Sequence, residues 1–324
     1  MSTKTTPSAA LSPAAARLLL VCVVVLWGAN WPVMKVGLQS MPPVWFAAAR
    51  MTLGALSLFA MLAVLGRLKL PTRRDLPVVF TVGGLQMAVF LVLINSGLQY
   101  VGAGRSAILA YTTPLWVTPG AMLLLGEGMN RRKLLGLVLG LCGVAALFNP
   151  LGFDWTSRDA LVGNALLLAA ALVGSIPILH VRAHKWDSSP LQLAPWQMVL
   201  AAVPLAVLSW STEDWSAIRW SDELGVILAY NGPLATAFCF WATVSVTRAL
   251  PAVTSSLSLL AVPVAGVLAS AVFLDEPLTP TLIGGLALIL GGTVLVNLAD
   301  LRRERAARAQ GAEKAPENTG TMID

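Results

Sequence analysis

The chain has 324 residues, 56% of them hydrophobic and only 12% charged, with a mean hydropathy of +0.75. That composition excludes an ordinary soluble domain, because the apolar runs exceed what a soluble core needs. A formal net charge of +6 could suit a nucleic-acid binder. No basic aromatic face accompanies it, so no nucleic-acid partner is expected.

Residues 1–16 are rich in Ser, Thr, Pro and Ala and are expected to form a disordered tail. The apolar run from Leu18 is too long for a signal-peptide core and lacks a small-x-small exit. It is expected to be an uncleaved first span. Ten spans follow from runs near the roughly 20 residues a bilayer requires. They cover about 18–38, 44–65, 76–98, 104–125, 132–149, 160–180, 191–210, 224–247, 254–274 and 280–299. The longest connections, near 149–159 and 211–223, carry Trp155, Trp215 and Trp220, as interfacial belts do. The cysteines Cys22, Cys142 and Cys239 all fall inside apolar runs and offer no disulfide framework.

Basic residues set the orientation. With a cytoplasmic N-terminus the inside collects 17 Lys and Arg, and the outside keeps Arg105, Arg158 and Arg219. Lys35 and Arg50 are left within spans. Both termini are then cytoplasmic.

The stretch Ser106–Gly143 recurs after 149 positions. Ser106 falls on Ser255, Pro114 on Pro263, Glu127 on Glu276, Gly136 on Gly285 and Gly143 on Gly292. This distance signals a duplicated half rather than a short solenoid period. The expected units are a five-span repeat over 17–149, a second over 160–300 and a basic, polar tail over 301–324. Five spans is an odd number, so the second unit must be inverted. The fold class is therefore an all-α integral membrane protein of ten transmembrane helices in two inverted five-helix repeats.

The first span contains WGANWPVMKVGL, and LDEPLT follows the ninth. Pro43, Arg50 and Met51 are echoed by Pro190, Gln197 and Met198. On these features residues 15–300 resemble the drug/metabolite transporter superfamily, EamA type, and within it the YddG-type amino acid exporters. The second unit departs from the first-span motif, with VGSIPILHVR in place of WGANWPVMKV. The resemblance implies alternating-access export of small amphipathic metabolites, above all amino acids, aromatic ones included. It implies a bacterial inner-membrane location and no cofactor.

Trp27, Asn30, Trp31 and Lys35 share one helical face. Asn30 is costly against lipid and should face protein or a water-filled cavity. An indole there could wall a substrate side chain or simply pack. Lys35 is expected to snorkel to the interface. Arg50 is expected to face inward, to meet a carboxylate or a broken helix end. Asn95, Tyr111, Asn231 and Trp241 complete the expected pathway residues. Serines in the spans can instead bond their own helix. Pro114 and Pro263 should bend their helices and free backbone carbonyls.

Gly136-x-x-x-Gly140 indicates close helix approach, within the chain or at a dimer seam, so a monomer and a homodimer are both open. His180-x-x-x-His184 has metal-ligand spacing, but Val181 stands where a zinc protease carries glutamate, so no metal is expected. Gly174-Ser175 is no nucleophile elbow, since no base with an orienting acid is identifiable. No Asp or Glu lies mid-span, which argues against a carboxylate relay and against a cation-pairing drug exporter. A membrane enzyme would need a nucleophile–base pair, and a scaffold would not need an inverted repeat.

Overall fold

The structure, a computed structural model, describes residues 12–148, 155–185 and 187–313. Its main elements are ten helices. They are α1 (Pro13–Gly37), α2 (Pro43–Val64), α3 (Leu76–Tyr100), α4 (Ala103–Leu125), α5 (Arg131–Leu147), α6 (Arg158–Ala183), α7 (Pro190–Thr212), α8 (Asp222–Ala249), α9 (Ala252–Leu259, then Ala261–Leu274) and α10 (Pro280–Glu313). Among the described residues, nine are apolar and at least 18 residues long. The exception, α5, has 17 residues, about 25 Å at 1.5 Å per residue, and ends at Leu147 with Phe148 as its C-cap, residue 149 of the expected span lying outside the described residues.

Local chemistry sets the helix ends. Ser12, Asn130, Ser157 and Ser221 each cap a first turn with a side-chain oxygen, and Ser189 with Gln192 forms a capping box. Gly126 (φ 64°) and Asp275 (φ 52°) close α4 and α9 in the left-handed region. They are equivalent positions of the repeat.

Two boundaries differ from expectation. Helix α1 starts at Pro13, inside the stretch expected to be disordered, because Ser12 caps it and proline suits the first turn. Residues 1–11 lie outside the described residues. Helix α10 runs to Glu313, since Leu301–Ala309 holds good helix formers and no breaker. The rest of the expected C-terminal tail lies outside the described residues.

Contacts sort the connections into two faces. At the tail face, where α1 starts and α10 ends, Ala16 and Leu20 pack with Val246 and Leu250. Asp75 meets His184 there, and the Trp196 indole donates to the Lys69 carbonyl. At the opposite, far face, Lys35 reaches the end of α3, Glu213 the start of α2 and Glu276 the start of α4. Hence α1 runs from tail to far face and α6 runs from far to tail, as inversion requires.

Packing repeats the symmetry. The first helix of each unit packs on the third and fourth of the other: α1 on α8 and α9, α6 on α3 and α4. Helices α2 and α7 pair, as do α5 and α10. A Cβ on Gly136 would stand 2.6 Å from the Gly292 carbonyl oxygen, and one on Gly143 2.8 Å from that of Gly285. The glycine stripe therefore seams α5 to α10 within one chain.

Four of the helices are interrupted, at repeat-related places. Helix α4 breaks at Tyr111–Thr112 and α9 at Leu260. Pro114 and Pro263 sit in the first turn of the second half-helices, so they restart a helix rather than bend a continuous one. The Thr112 and Thr113 hydroxyls donate to the Leu109 and Ala110 carbonyls at 2.6 and 2.8 Å. Helices α3 and α8 each contain a π-helical stretch, Val82–Val89 and Tyr230–Phe238. Gly83-Gly84 and Gly232-Pro233 occupy equivalent positions within them.

Candidate functional site

The π stretch of α8 builds the centre. Pro233 has no N–H, and the wider turn releases carbonyls from the helical ladder. Thr236 Oγ1 donates to the Asn231 carbonyl at 2.7 Å and accepts from Arg50 Nε at 2.8 Å. The Trp27 indole of α1 donates to the Ala235 carbonyl at 2.8 Å, and the Tyr230 hydroxyl returns a bond to the Leu26 carbonyl at 2.6 Å. A Cβ on Gly232 would stand 2.4 Å from Leu53 Cβ, so only glycine lets α8 lie this close to α2.

Arg50 completes this centre from α2. Its second described contact is Nη1 on Met34 Sδ at 3.1 Å. Among the described residues no carboxylate lies within ion-pairing distance of it. A cation at membrane depth without a counter-charge is costly unless a ligand or water answers it. In the second unit Gln197 stands at the equivalent place, 3% exposed on α7, and the close approach there falls on Gly83.

The expected residues separate into groups. Arg50, Asn231 and Trp27 meet at the α8 π stretch, and Tyr111 lies at the break of α4. Trp241 stacks beside Phe238 with ring centroids 5.7 Å apart. It lines an open apolar surface groove of about 470 Å³ with Ala60, Met61, Val64 and Leu65. That groove lies between the tail-face halves of α2 and α8. Asn30 is 4% exposed, and its Oδ1 has no protein hydrogen-bond partner. Trp31 packs in the core at the α1–α9 crossing, where a Cβ on Gly266 would meet its Cδ1 at 3.0 Å. Asn95 sits apart, near the far face, donating from Nδ2 to the Pro43 carbonyl at 3.1 Å. Asn95 Oδ1 and Asn231 Oδ1 are likewise buried without a protein partner.

Thr236 and Met34 were not singled out by sequence. The Gly-Pro pair inside an otherwise apolar run was the available signal for the π stretch. Lys35 does not only snorkel. Its ammonium donates to the Leu98 and Val101 carbonyls at 2.5 and 2.9 Å, closing the end of α3.

Several contacts tie the far face together. Glu213 accepts from the Val44 and Trp45 amides at 2.9 Å each. Trp45 packs edge-on against Trp210 and Trp215, at 5.9 and 4.9 Å, and Trp220 extends the stack. Arg219 donates to the Gln39 carbonyl, and its amide donates to that of Ser40. Of the expected interfacial tryptophans, Trp215 and Trp220 thus join one aromatic cluster over the α2–α7 pair, whereas Trp155 meets Phe148 at 6.2 Å.

At the tail face His180 and His184 serve separate partners. His180 Nδ1 lies 2.8 Å from Thr81 Oγ1, and His184 Nε2 lies 3.0 Å from Asp75 Oδ1. Among the described residues no three His, Cys, Asp or Glu cluster as metal ligands would.

Similar proteins share this architecture. A Bacillus subtilis (strain 168) protein described as the uncharacterized transporter YoaV is 30% identical over 288 residues, covering 88% of this chain and 97% of its own. A probable amino-acid metabolite efflux pump of Escherichia coli (strain K12) is 29% identical over 90% of this chain and 97% of its own. A probable terminal-alkyne amino-acid exporter of Streptantibioticus cattleyicolor is 28% identical over 90% and 96%. One solved structure shares the fold with a TM-score of 0.59 and 23% identity, over 90% of this chain and all of that one. The model of the EamA-like transporter family matches twice, over residues 15–149 and 162–298. With two such matches laid on two inverted units of helices, the chain belongs to the EamA-like transporter family.

Proposed function

We propose that this chain exports amino acids or closely related metabolites across a bacterial inner membrane by alternating access, with both termini in the cytoplasm. The observation that carries the reading is Arg50. Its planar guanidinium sits at the centre of the bundle, oriented by Thr236, with no acidic partner among the described residues. Such a fork suits a carboxylate and repels a lipophilic cation. Trp27, Tyr111 and Trp241 offer aromatic surface for a side chain, and the amide oxygens of Asn30 and Asn231 could accept from an ammonium. The names of two relatives, which specify amino-acid export, agree with this cargo. The excess of Lys and Arg at the tail face supports placing that face in the cytoplasm, the side from which an exporter loads.

The test is flux into proteoliposomes with a panel of labelled amino acids. Saturable flux is expected, competed by amino acids but not by the amines that lack the carboxylate. Arg50→Ala should raise KM roughly tenfold to a hundredfold, with Arg50→Lys between. Full activity of Arg50→Ala, or competition by the amines, would remove the carboxylate from the recognition.

A further inference from the structure

We propose that Glu276 and Glu127 are exchanging latches, each able to cap the first turn of the opposite unit's fourth helix. In this state the far latch is shut, and at the tail face Glu127 is held by Lys133 and Arg182. The proposal rests on the alternating-access reading.

At the far face Glu276 Oε1 and Oε2 accept from the Ala103 and Gly104 amides at 2.6 and 2.9 Å. These are unpaired donors of the α4 N-terminus, so the carboxylate satisfies them and meets the helix dipole. Gly102 leaves the room for it: a Cβ there would stand 3.0 Å from Oε2. Lys35, in the last turn of α1, closes the end of α3 at the same face. The first half of α4 accordingly packs on the second half of α9.

The repeat supplies the same parts at the tail face. Glu127 corresponds to Glu276 and Ala252 to Ala103, and Arg182, like Lys35, is a basic residue in the last turn of its unit's first helix. Here the carboxylate is engaged differently. Glu127 pairs with Lys133 Nζ at 3.0 Å and with Arg182 Nη1 at 3.6 Å, lining a small cavity with Pro114, Thr118 and Asn297. Lys133 is the asymmetric part: the second unit has Leu282 there. A cation on α5 thus competes with the α9 N-terminus for Glu127, whereas no cation on α10 competes for Glu276. Pro251 in place of Gly102 also crowds the tail latch. Both differences favour the far-closed state. Transit would require Glu276 to leave α4 and Glu127 to move from Lys133 to the amides of α9.

Spin-label distances in nanodiscs test this without reference to cargo. One pair, Tyr100 with Leu278, spans the far gate, and a second, Leu124 with Thr254, spans the tail gate; all four positions are exposed. Glu276→Gln should lengthen the far distance and shorten the tail distance, moving the population roughly tenfold. Lys133→Leu, at the opposite face, should shift both distances in the same directions, and Glu127→Gln should abolish the tail-closed population. Unchanged distances in folded Glu276→Gln and Lys133→Leu proteins, or opposite shifts in the two, would overturn the latches. If Glu276→Gln fails to accumulate, Lys133→Leu decides alone. Failure of amino-acid flux with the distance shifts intact would instead count against the cargo.

Discussion

At the scale of single residues, several charges in or beside the spans are bound by backbone, in contrast to Glu127, which pairs with Lys133 and Arg182. Lys35 binds carbonyls, and Glu213 and Glu276 bind amides. Asp75 is the most connected of these. It is fully buried and accepts from the Asp187 amide (3.3 Å), the Ser188 amide (2.9 Å) and Thr72 Oγ1 (3.0 Å), beside His184 Nε2. Burial alone would raise its carboxyl, yet the bonds from His184, Ser188, Asp187 and Thr72 win and hold it well below the usual carboxylate range. A depressed folded-state value means that the ionised form stabilises the fold above the ordinary value of 3.8 and that this contribution fades as pH falls below it. Asp75→Ala should strand several donors where the 66–75 loop of the first unit meets the α6–α7 connection of the second. The unfolding midpoint in detergent should fall by several degrees at pH 7, and the gap from wild type should narrow below about pH 4. A constant gap across that range would show that the carboxylate's ionisation contributes nothing.

Among the helices, the paired interruptions are where transport motion has somewhere to act. In α4 the hydroxyls of Thr112 and Thr113 already satisfy carbonyls at the break, so Pro114 is not needed to hold the halves in place. Its effect is to deny an N–H to the preceding turn and so prevent one continuous helix. Pro114→Ala, and likewise Pro263→Ala, should therefore slow flux more than it lowers abundance, measured as initial rate per inserted protein. Equal losses would make the prolines purely structural. The ten helices were legible in sequence because each is an uninterrupted apolar run of bilayer length, and the seam of α5 on α10 because its glycines recur in register. The π stretches were not, since helices buried on many sides show little apolar periodicity to be broken. Nor did sequence separate Trp31, packed at the α1–α9 crossing, from Trp241, which lines the tail-face groove. Both are aromatic residues in apolar runs, and only the tertiary neighbours distinguish them. Arg50's inward position followed from the cost of charge in lipid, but its orientation by Thr236 depends on a backbone irregularity in another helix.

Across the whole molecule, the two units are built from one plan but hold their gates unequally. Contacts at the far face tie it together with carboxylate caps and an aromatic cluster, while the tail-face ends of α2 and α8 leave an open apolar groove between them. Inversion makes a sharp statement about sidedness. The turn after α4 and the turn after α9 are the same piece of the repeat, each entered through a left-handed residue, Gly126 or Asp275. They must nonetheless lie on opposite sides of the membrane, because an odd number of helices separates them. Gly128 and Pro277 are equivalent and both exposed, so a cysteine at either can react without disturbing packing. With the three native cysteines replaced, Gly128→Cys should label from the cytoplasmic side alone and Pro277→Cys from the outside alone, as the excess of Lys and Arg at the tail face requires. The contrast between the two positions tests the inversion, and its direction tests the orientation. Labelling of both from one side would refute the inverted arrangement, whereas a clean exchange of sides would keep the fold and reverse the protein in the membrane.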